Sequence, residues 1–533
     1  MSAPAPGRSR RVRFLVTSLS ALVVLIACAA CGSSRGALSA ALPSASSTPS
    51  SEPVSPTTTA PIRSTPAGVR ATIRAGVEAP VAPTSRQAGF IGVASEISTI
   101  PTLAGGAADP DHAFVNLLRN LSPGAPFLLR LGGDSTDWSW WPIPGMATPR
   151  PIRYAITPAW AAGVKTLLHA LGGRALLGVN LELDNARVAA DEVRQYEHFL
   201  GSSLIGGFEL GNEPELYPAF DYYKLPDGRG VKGRPRSYDM AAYGRDFSTI
   251  ARSLPNAPLV GPEIGAPKIL TQLNSILSGL PSRLQLVTVH AYPMKRCSAS
   301  THLPISQFFA PASIQGLAAQ VGAMVRAARA HHKPLRVDEI NGISCGGQAG
   351  VSNTFAEALW ALNILPALWQ AGVQGVNIQT IDGNLNQVFT ATHSAAGWRV
   401  STQPEYLGLL AFAQAAPGGS HLVKVAAPNR AGVYAFATRT PSGQEHVIIT
   451  NTTGSTLSEG VSVAGGHGAA AVSLLQARSL AATGGATLAG ESLSTSTGEL
   501  TGTAQVAQVG ANRAGVYGIR VPPHSAAILT VAR

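Results

Sequence analysis

Two glutamates stand where apolar runs stop. One lies in Phe208-Glu-Leu-Gly-Asn-Glu213-Pro-Glu and the other in Leu335-Arg-Val-Asp-Glu339-Ile-Asn. Two facing carboxylates suit the cleavage of a glycosidic bond. One must carry a proton to give to the leaving oxygen, and the other must be ionised to attack the anomeric carbon. Their surroundings must therefore push the two proton affinities apart. Pro214 cannot extend a strand ladder, so it turns the chain and fixes Glu213 at the end of its run. Strand alternation sends Asp338 and Glu339 to opposite faces, so only one of them is expected to face a common site.

The elements that would carry these residues alternate in type. Short apolar runs at 89–96, 127–132, 175–181, 206–211, 259–263, 284–292, 335–339 and 375–379 read as strands. Helical patterns follow most of them. The clearest covers 313–331, with Leu317, Val321, Met324, Val325 and Ala328 on one face; others cover 191–200 and 354–371. Eight such alternations predict an α/β fold, a (β/α)8 TIM barrel, with a doubly wound open sheet as the competing topology. No GxGxxG follows the first strand, so a dinucleotide cofactor has no support. In a barrel, chemistry sits at the C-terminal ends of strands, which is where Glu213 and Glu339 fall.

After residue 415 the segments 421–427, 432–438, 445–451 and 526–531 are short, rich in Val, Thr and Ile, and separated by Gly, Ser and Asn turns. They predict a C-terminal antiparallel β-sandwich. Asn429-Arg-Ala-Gly-Val-Tyr434 recurs as Asn512-Arg-Ala-Gly-Val-Tyr517, which suggests two similar strand entries. The expected organisation is a signal peptide with a lipobox at 1–31, a disordered Ser/Thr/Pro/Ala tether at 32–66, and a strand joining the sandwich at 67–86. A catalytic barrel at 87–415 and the sandwich at 416–533 follow.

Gly211-Asn-Glu-Pro214 and Asp338-Glu-Ile-Asn341 resemble the acid/base and nucleophile motifs of the retaining barrel glycosidases, whose two catalytic Glu stand on strands four and seven. Within that superfamily the chain is most similar to glycoside hydrolase family 79, the β-glucuronidases and heparanase-like enzymes. The further matches are Ile91-Gly-Val-Ala-Ser-Glu96, Leu129-Arg-Leu-Gly-Gly-Asp134, His290-Ala-Tyr-Pro293 and the Glu339–Gly347 segment. The resemblance implies Glu213 as general acid/base, Glu339 as nucleophile, and Asn212 on the sugar 2-hydroxyl. It places Tyr292 and Arg130 against the Glu339 carboxylate. No cofactor is implied, and no zinc, calcium or phosphate motif occurs.

Bland readings stand beside these roles. Arg130 could be a structural ion pair, Tyr292 could simply pack under a loop, and His290 could be a satisfied core histidine. Trp138, Trp140 and Trp141 could stack on sugar rings or on one another. Glu96 could bind substrate hydroxyls. Glu209, Glu215 and Glu263 are expected near the rim without a catalytic role. Asp134 stands where the family more usually has Asn and receives no role. His331 and His332 read as a helix cap. A uronate would be recognised by the segment 380–404, which offers Asn384, Asn386, Gln387, His393, Trp398 and Arg399. A hydrolase of neutral sugars (glucosidase, xylosidase or arabinosidase type) is the runner-up, and a non-catalytic glycan-binding surface lipoprotein is the alternative of another class.

Charge limits the partners. The 533 residues carry a formal net charge of +11. Residues 1–90 hold nine Arg against Glu52 and Glu78, a net +7, which leaves only +4 for the other 443. Nucleic acid is therefore not an expected partner; a carbohydrate or glycoside is. Arg8, Arg10, Arg11 and Arg13 precede the apolar stretch 14–30, an export signal. Cys28 or Cys31 would be lipidated, anchoring an exported protein to the outer face of a membrane, or the protein would be secreted; no other membrane contact is expected. Cys297 and Cys345 could pair outside the cell, closing a loop that stabilises by ~4 kcal/mol, or remain free thiols.

Overall fold

A computed structural model describes residues 62–76, 86, 89–254 and 256–532. The expected signal with Cys28 and Cys31, and nearly all of the expected tether, lie outside these residues. Eight strands form a closed parallel barrel: β1 (Ile91–Glu96), β2 (Leu128–Gly132), β3 (Arg174–Val179), β4 (Ile205–Leu210), β5 (Leu259–Ile264), β6 (Leu286–Ala291), β7 (Leu335–Ile340) and β8 (Gly375–Thr380). Each pairs with its sequence neighbours, and β8 closes on β1 with Val376 opposite Ile91. The TIM barrel is borne out and the open sheet is excluded. The strands read as apolar runs because both faces are covered: every residue of β1, β5, β6, β7 and β8 is buried.

Helices α1 (His112–Leu121), α2 (Pro158–Leu171), α3 (Ala186–Leu200), α4 (Met240–Arg252), α5 (Leu273–Ser278), α6 (Gln315–Ala330), α7 (Phe355–Ala371) and α8 (Glu405–Ala415) follow the strands in turn. Their starts are chemically marked. The Asp111 carboxylate accepts from Phe114 N, and the Thr157 hydroxyl accepts from Trp160 N ahead of Pro158. Asn185 accepts from Arg187 N and Val188 N, so α3 begins five residues before the expected 191. Helices α7 and α8 are buried on nearly all sides. One side faces the barrel and the other faces the C-terminal domain: Phe355 N and Ala356 N donate to Ala482 O and Leu480 O, and Phe412 lies 6.2 Å from Phe436.

That domain is the expected sandwich, antiparallel except where N-terminal segments join it. One sheet runs Arg63–Ser64, Ala507–Gly510, Ala469–Gln476, Ser525–Val531, Glu445–Asn451, Val433–Arg439, His421–Val423; the other runs Val425–Ala426, Ile73–Ala75, Leu457–Val463, Val516–Val521. Ile73, Val447, Ile449, Val461, Tyr517 and Leu529 fill the space between them. Arg63 and Ser64 pair with Val509 and Gly510, so the segment drawn as tether to residue 66 is already part of a sheet at 63. The two Asn-Arg-Ala-Gly-Val-Tyr copies each lead into a strand, one in each sheet. Among the described residues no helix is long and apolar enough to cross a membrane.

Gly408 lets α8 lie against α7. A Cβ there would stand 2.0 Å from Ala358 O, a backbone atom that cannot swing aside. Gly408→Ala should destabilise the protein by ~1–3 kcal/mol. Urea unfolding measures it, and an unchanged midpoint would contradict this packing.

Candidate active site

The barrel interior beneath its C-terminal mouth is polar and closed. Arg130, on β2, is wholly buried. Its Nε lies 3.0 Å from Glu209, its Nη1 2.7 Å from Glu339, and its Nη2 3.0 Å from Glu263 and 2.8 Å from Asn212 Oδ1. The Asp338 carboxylate is 3.7 Å from Nε. Asp338 and Glu339 therefore both reach the same guanidinium, contrary to the expectation from strand alternation. The pairing of β7 with β6 and with β8 slips in register around these positions, and an irregularity of this kind turns two successive side chains the same way.

Glu213 is brought to the mouth by a tight turn after β4. Gly211 has φ 81°, and a Cβ on it would meet Tyr217 Oη at 2.2 Å. Glu213 itself is left-handed (φ 45°), and its N–H donates to Glu263 O. Gly265 leaves room for its carboxylate, since a Cβ there would lie 2.0 Å from Oε1. His290, on β6, joins the layers: Nδ1 is 3.0 Å from Glu213 and Nε2 is 3.3 Å from Glu263, whose other oxygen accepts from the Thr288 hydroxyl. Tyr292 Oη donates to Glu339 Oε1 at 2.7 Å. One oxygen of Glu213 and one of Glu339 lie within 4.8 Å of each other. The Glu213 and Glu339 side chains are 25% and 12% exposed, whereas Arg130, Glu209, Glu263, Asp338 and His290 are sealed at 0–1%.

Burial and charge divide these groups. Burial alone would raise Glu339, but His290, Arg130 and the Tyr292 hydrogen bond outweigh it and hold the carboxyl below its ordinary range. Burial opposes charge on His290, yet Glu339, Glu213 and Glu263 hold the imidazolium well above its usual value. Protonated, it donates to both glutamates. Glu263 overcomes burial through His290 and Arg130 and falls to about 2. Asp338 is pushed well up, first by burial and then by Glu263 and Glu209; Glu209 is pushed to about 7 by burial and Glu263. The triads Glu213–His290–Glu339 and Glu263–His290–Asp338 are close enough to hold a cation. The Arg130 guanidinium already fills that place between Glu263 and Glu339.

Several expectations change. Glu209 and Glu263 lie inside the barrel beneath the site and not at its rim. Glu215 accepts from Gly265 N and Ala266 N, both at 2.7 Å. Glu96 is 4% exposed and accepts from Asp134 N and Ser135 N, so it supports the turn after β2 and does not lie open to substrate. Trp140 and Trp141 are core residues; Trp138 is half-buried with the Arg153 guanidinium 4.5 Å from its ring. Much of 380–404 is committed elsewhere. Asn386 donates to Ile343 O, Gln387 bonds Asp382 and Gly383, His393 and Trp398 bond Asp109, and Arg399 bonds Thr495. Asn384 lies beside Gly346. His331 bonds Asn274 at the end of α6. Cys297 and Cys345 are bonded to each other with Cα atoms 5.0 Å apart, joining the loops after β6 and β7.

Sequence reasoning passed over Asp137. It is buried and accepts from Leu181 N and Glu182 N through one oxygen, and from Asn212 N and Tyr217 Oη through the other. It thereby ties the ends of β2, β3 and β4 together. The signal was available: an Asp directly ahead of Trp138-Ser-Trp-Trp141, where an unpaired charge could not be buried.

No family model matches the chain, and no curated protein matches it in sequence. Solved structures do match. A 4-O-α-L-rhamnosyl-β-D-glucuronidase from Fusarium oxysporum 12S is 17% identical over 86% of this chain and 100% of its own, with a TM-score of 0.66. A GH51 arabinofuranosidase from Xanthomonas axonopodis pv. citri is 15% identical over 87% and 100%, with a TM-score of 0.58. At these identities the likeness is one of fold. The chain shares their fold, a TIM barrel with a β-rich C-terminal domain.

Glu96, Glu209 and Glu215 are pushed to about 7 and Glu182 to about 9, in each case first by burial and next by a neighbouring carboxylate. Folded, they keep protons that an unfolded carboxyl loses near 4.5, so they oppose folding increasingly as pH rises from about 4.5 to 7, and Glu182 continues to do so up to about 9. His290 acts in the same direction: its stabilising contribution is complete below about 6.5 and is lost as pH rises through its elevated value. The melting temperature should fall from pH 5 to pH 9, and Glu182→Gln should flatten the part above pH 7. A melting temperature that rises over this range would refute the assignment.

Proposed function

We propose that the protein is a retaining O-glycoside hydrolase acting by double displacement. The observation that carries this reading is the pair Glu213 and Glu339. They are the open carboxylates of an otherwise sealed charge network, with oxygens within 4.8 Å, about the spacing that a direct attack by one of them needs. Glu339, kept ionised by His290, Arg130 and Tyr292, attacks the anomeric carbon. The bond to the leaving oxygen breaks as that oxygen takes the proton of Glu213. Water then gives a proton to Glu213, attacks the glycosyl–Glu339 ester from the side the leaving group vacated, and releases sugar with its configuration retained. Asn212 is turned by Arg130, which holds its Oδ1, so that its Nδ2 faces the cleft beside Asp134. That places an amide donor for a sugar hydroxyl.

A β-glucuronide cleaved from a chain end is one substrate reading. It rests on the family resemblance and on the fold shared with the Fusarium glucuronidase. A neutral glycoside is the second, favoured by the acidic Asp134 at the cleft. We also propose export, with anchoring through Cys28 or Cys31 as the expected form.

A panel of 4-nitrophenyl glucuronide, glucoside, xyloside, arabinofuranoside and galactoside should give turnover of at least one member, with the product first formed in the anomeric configuration of the substrate by NMR. Glu213→Ala should lower kcat by about 10²–10⁴ and be rescued by azide. Glu339→Ala should lose turnover without losing the fold. No turnover across the panel would sink the reading. The acid limb of kcat/KM should lie below pH 4.5, because Glu339 is held under the ordinary carboxyl value of 4.5 and activity is lost only as pH falls through it.

A further inference from the structure

Asp134 has no part in the charge network below it, yet it stands in the cleft. It belongs to the short turn Gly133–Thr136 that follows β2. The turn is fixed from beneath: Glu96 accepts the N–H of Asp134 at 3.2 Å and of Ser135 at 2.7 Å, and Ser135 Oγ in turn accepts from Ile97 N. Gly133 has φ 71°, and a Cβ there would fall 2.2 Å from Glu96 Oε1, so nothing but glycine fits between the turn and its support. The Asp134 side chain is exposed to the cleft, and Oδ1 meets Asn212 Nδ2 at 3.4 Å. Asn212 precedes Glu213 in the chain and is held by Arg130. Asp134 thus touches the residue next to Glu213, and burial, followed by the charges of Glu339 and Glu213, pushes its carboxyl up to about 6, so that it is an anion above that pH.

Resting on the hydrolase reading, we infer that Asp134 sets the charge of the sugar this site accepts. It takes a hydroxyl of a neutral glycon and turns away a uronate. A carboxylate on a rigid turn is acceptor only, and a sugar hydroxyl meets it as a charge-assisted donor. A uronate in the same place brings a third negative charge beside those of Asp134 and Glu339. The cations beneath, Arg130 and His290, already face the ionised Glu263 and Glu339 and have no net charge to spare for it. Like charges brought together in a cleft discriminate between charged and neutral ligands.

The experiment compares kcat/KM of the wild type, Asp134→Asn and Asp134→Ala on the same 4-nitrophenyl panel. The wild type should favour its best neutral glycoside over the glucuronide by at least ten-fold. Asp134→Asn keeps the size and the Asn212 contact but drops the charge, and should move that ratio at least ten-fold toward the glucuronide, mainly through KM. A wild type that prefers the glucuronide, or an Asp134→Asn that changes both substrates by one common factor, overturns the inference while leaving the hydrolase reading intact. A wild type that cleaves nothing sinks the hydrolase reading instead. The preference is then read by calorimetry with the same glycosides under the same ten-fold criterion, and equal binding of glucoside and glucuronide overturns the inference. Circular dichroism of each variant separates lost preference from lost fold.

Discussion

Arg130 is held without water at the centre of the barrel, and Glu209, Glu263, Asp338 and Glu339 converge on it from three strands. Removing a guanidinium from water costs several kcal/mol, and only a complete set of partners offsets it. Glu263 and Glu339 are tolerable as carboxylates at that depth because Arg130 and His290 face them, whereas Asp338 is driven to keep its proton. The set is thus mutually dependent, and taking away any one member leaves the others exposed to the full cost of burial. This constraint explains why the interior departs from the usual apolar filling of a small barrel. It also explains how Glu339 can be both enclosed and ionised.

A second buried guanidinium shows what the first would be without acids in direct contact. Arg336 donates to Gly89 O, Phe90 O and Val376 O as well as to Asn377, and burial drives it down to about 9. Carbonyl dipoles satisfy its hydrogen bonds but supply no countercharge. Gly92 and Gly375 make room for it, since a Cβ on either would strike its guanidinium. The barrel therefore carries two charged layers, one neutralised by carboxylates under the mouth and one merely solvated by backbone nearer the floor.

Legibility followed from how local each signal was. The eight strands could be read because burial on both faces leaves a continuous apolar run. The C-terminal strands could be read because turns punctuate them. The start of α3 was misplaced because its first turns are polar, and Asn185 marks it only through a cap. Depth was invisible. Glu209 and Glu263 look like rim residues in sequence, yet they sit under the site, because the sign of their environment is set by Arg130 some 79 and 133 residues away. The alternation rule failed at Asp338-Glu339 because a register slip is a property of the sheet and not of the strand. Pairing of Cys297 with Cys345 was open because spacing alone does not bring two loops together.

The backbone at Glu213 has a separate significance. A left-handed conformation costs an L-residue ~1–2 kcal/mol, and glycine escapes it. Glu263, the residue whose carbonyl receives the Glu213 N–H, is left-handed as well (φ 60°). The chain thus places two large acidic side chains at positions where its backbone would sit more comfortably with none. On stability alone, drift at codon 213 would favour glycine. Persistence of a glutamate there would be a signature of purifying selection for chemistry, legible in any set of related sequences as an acid retained against the conformational gradient.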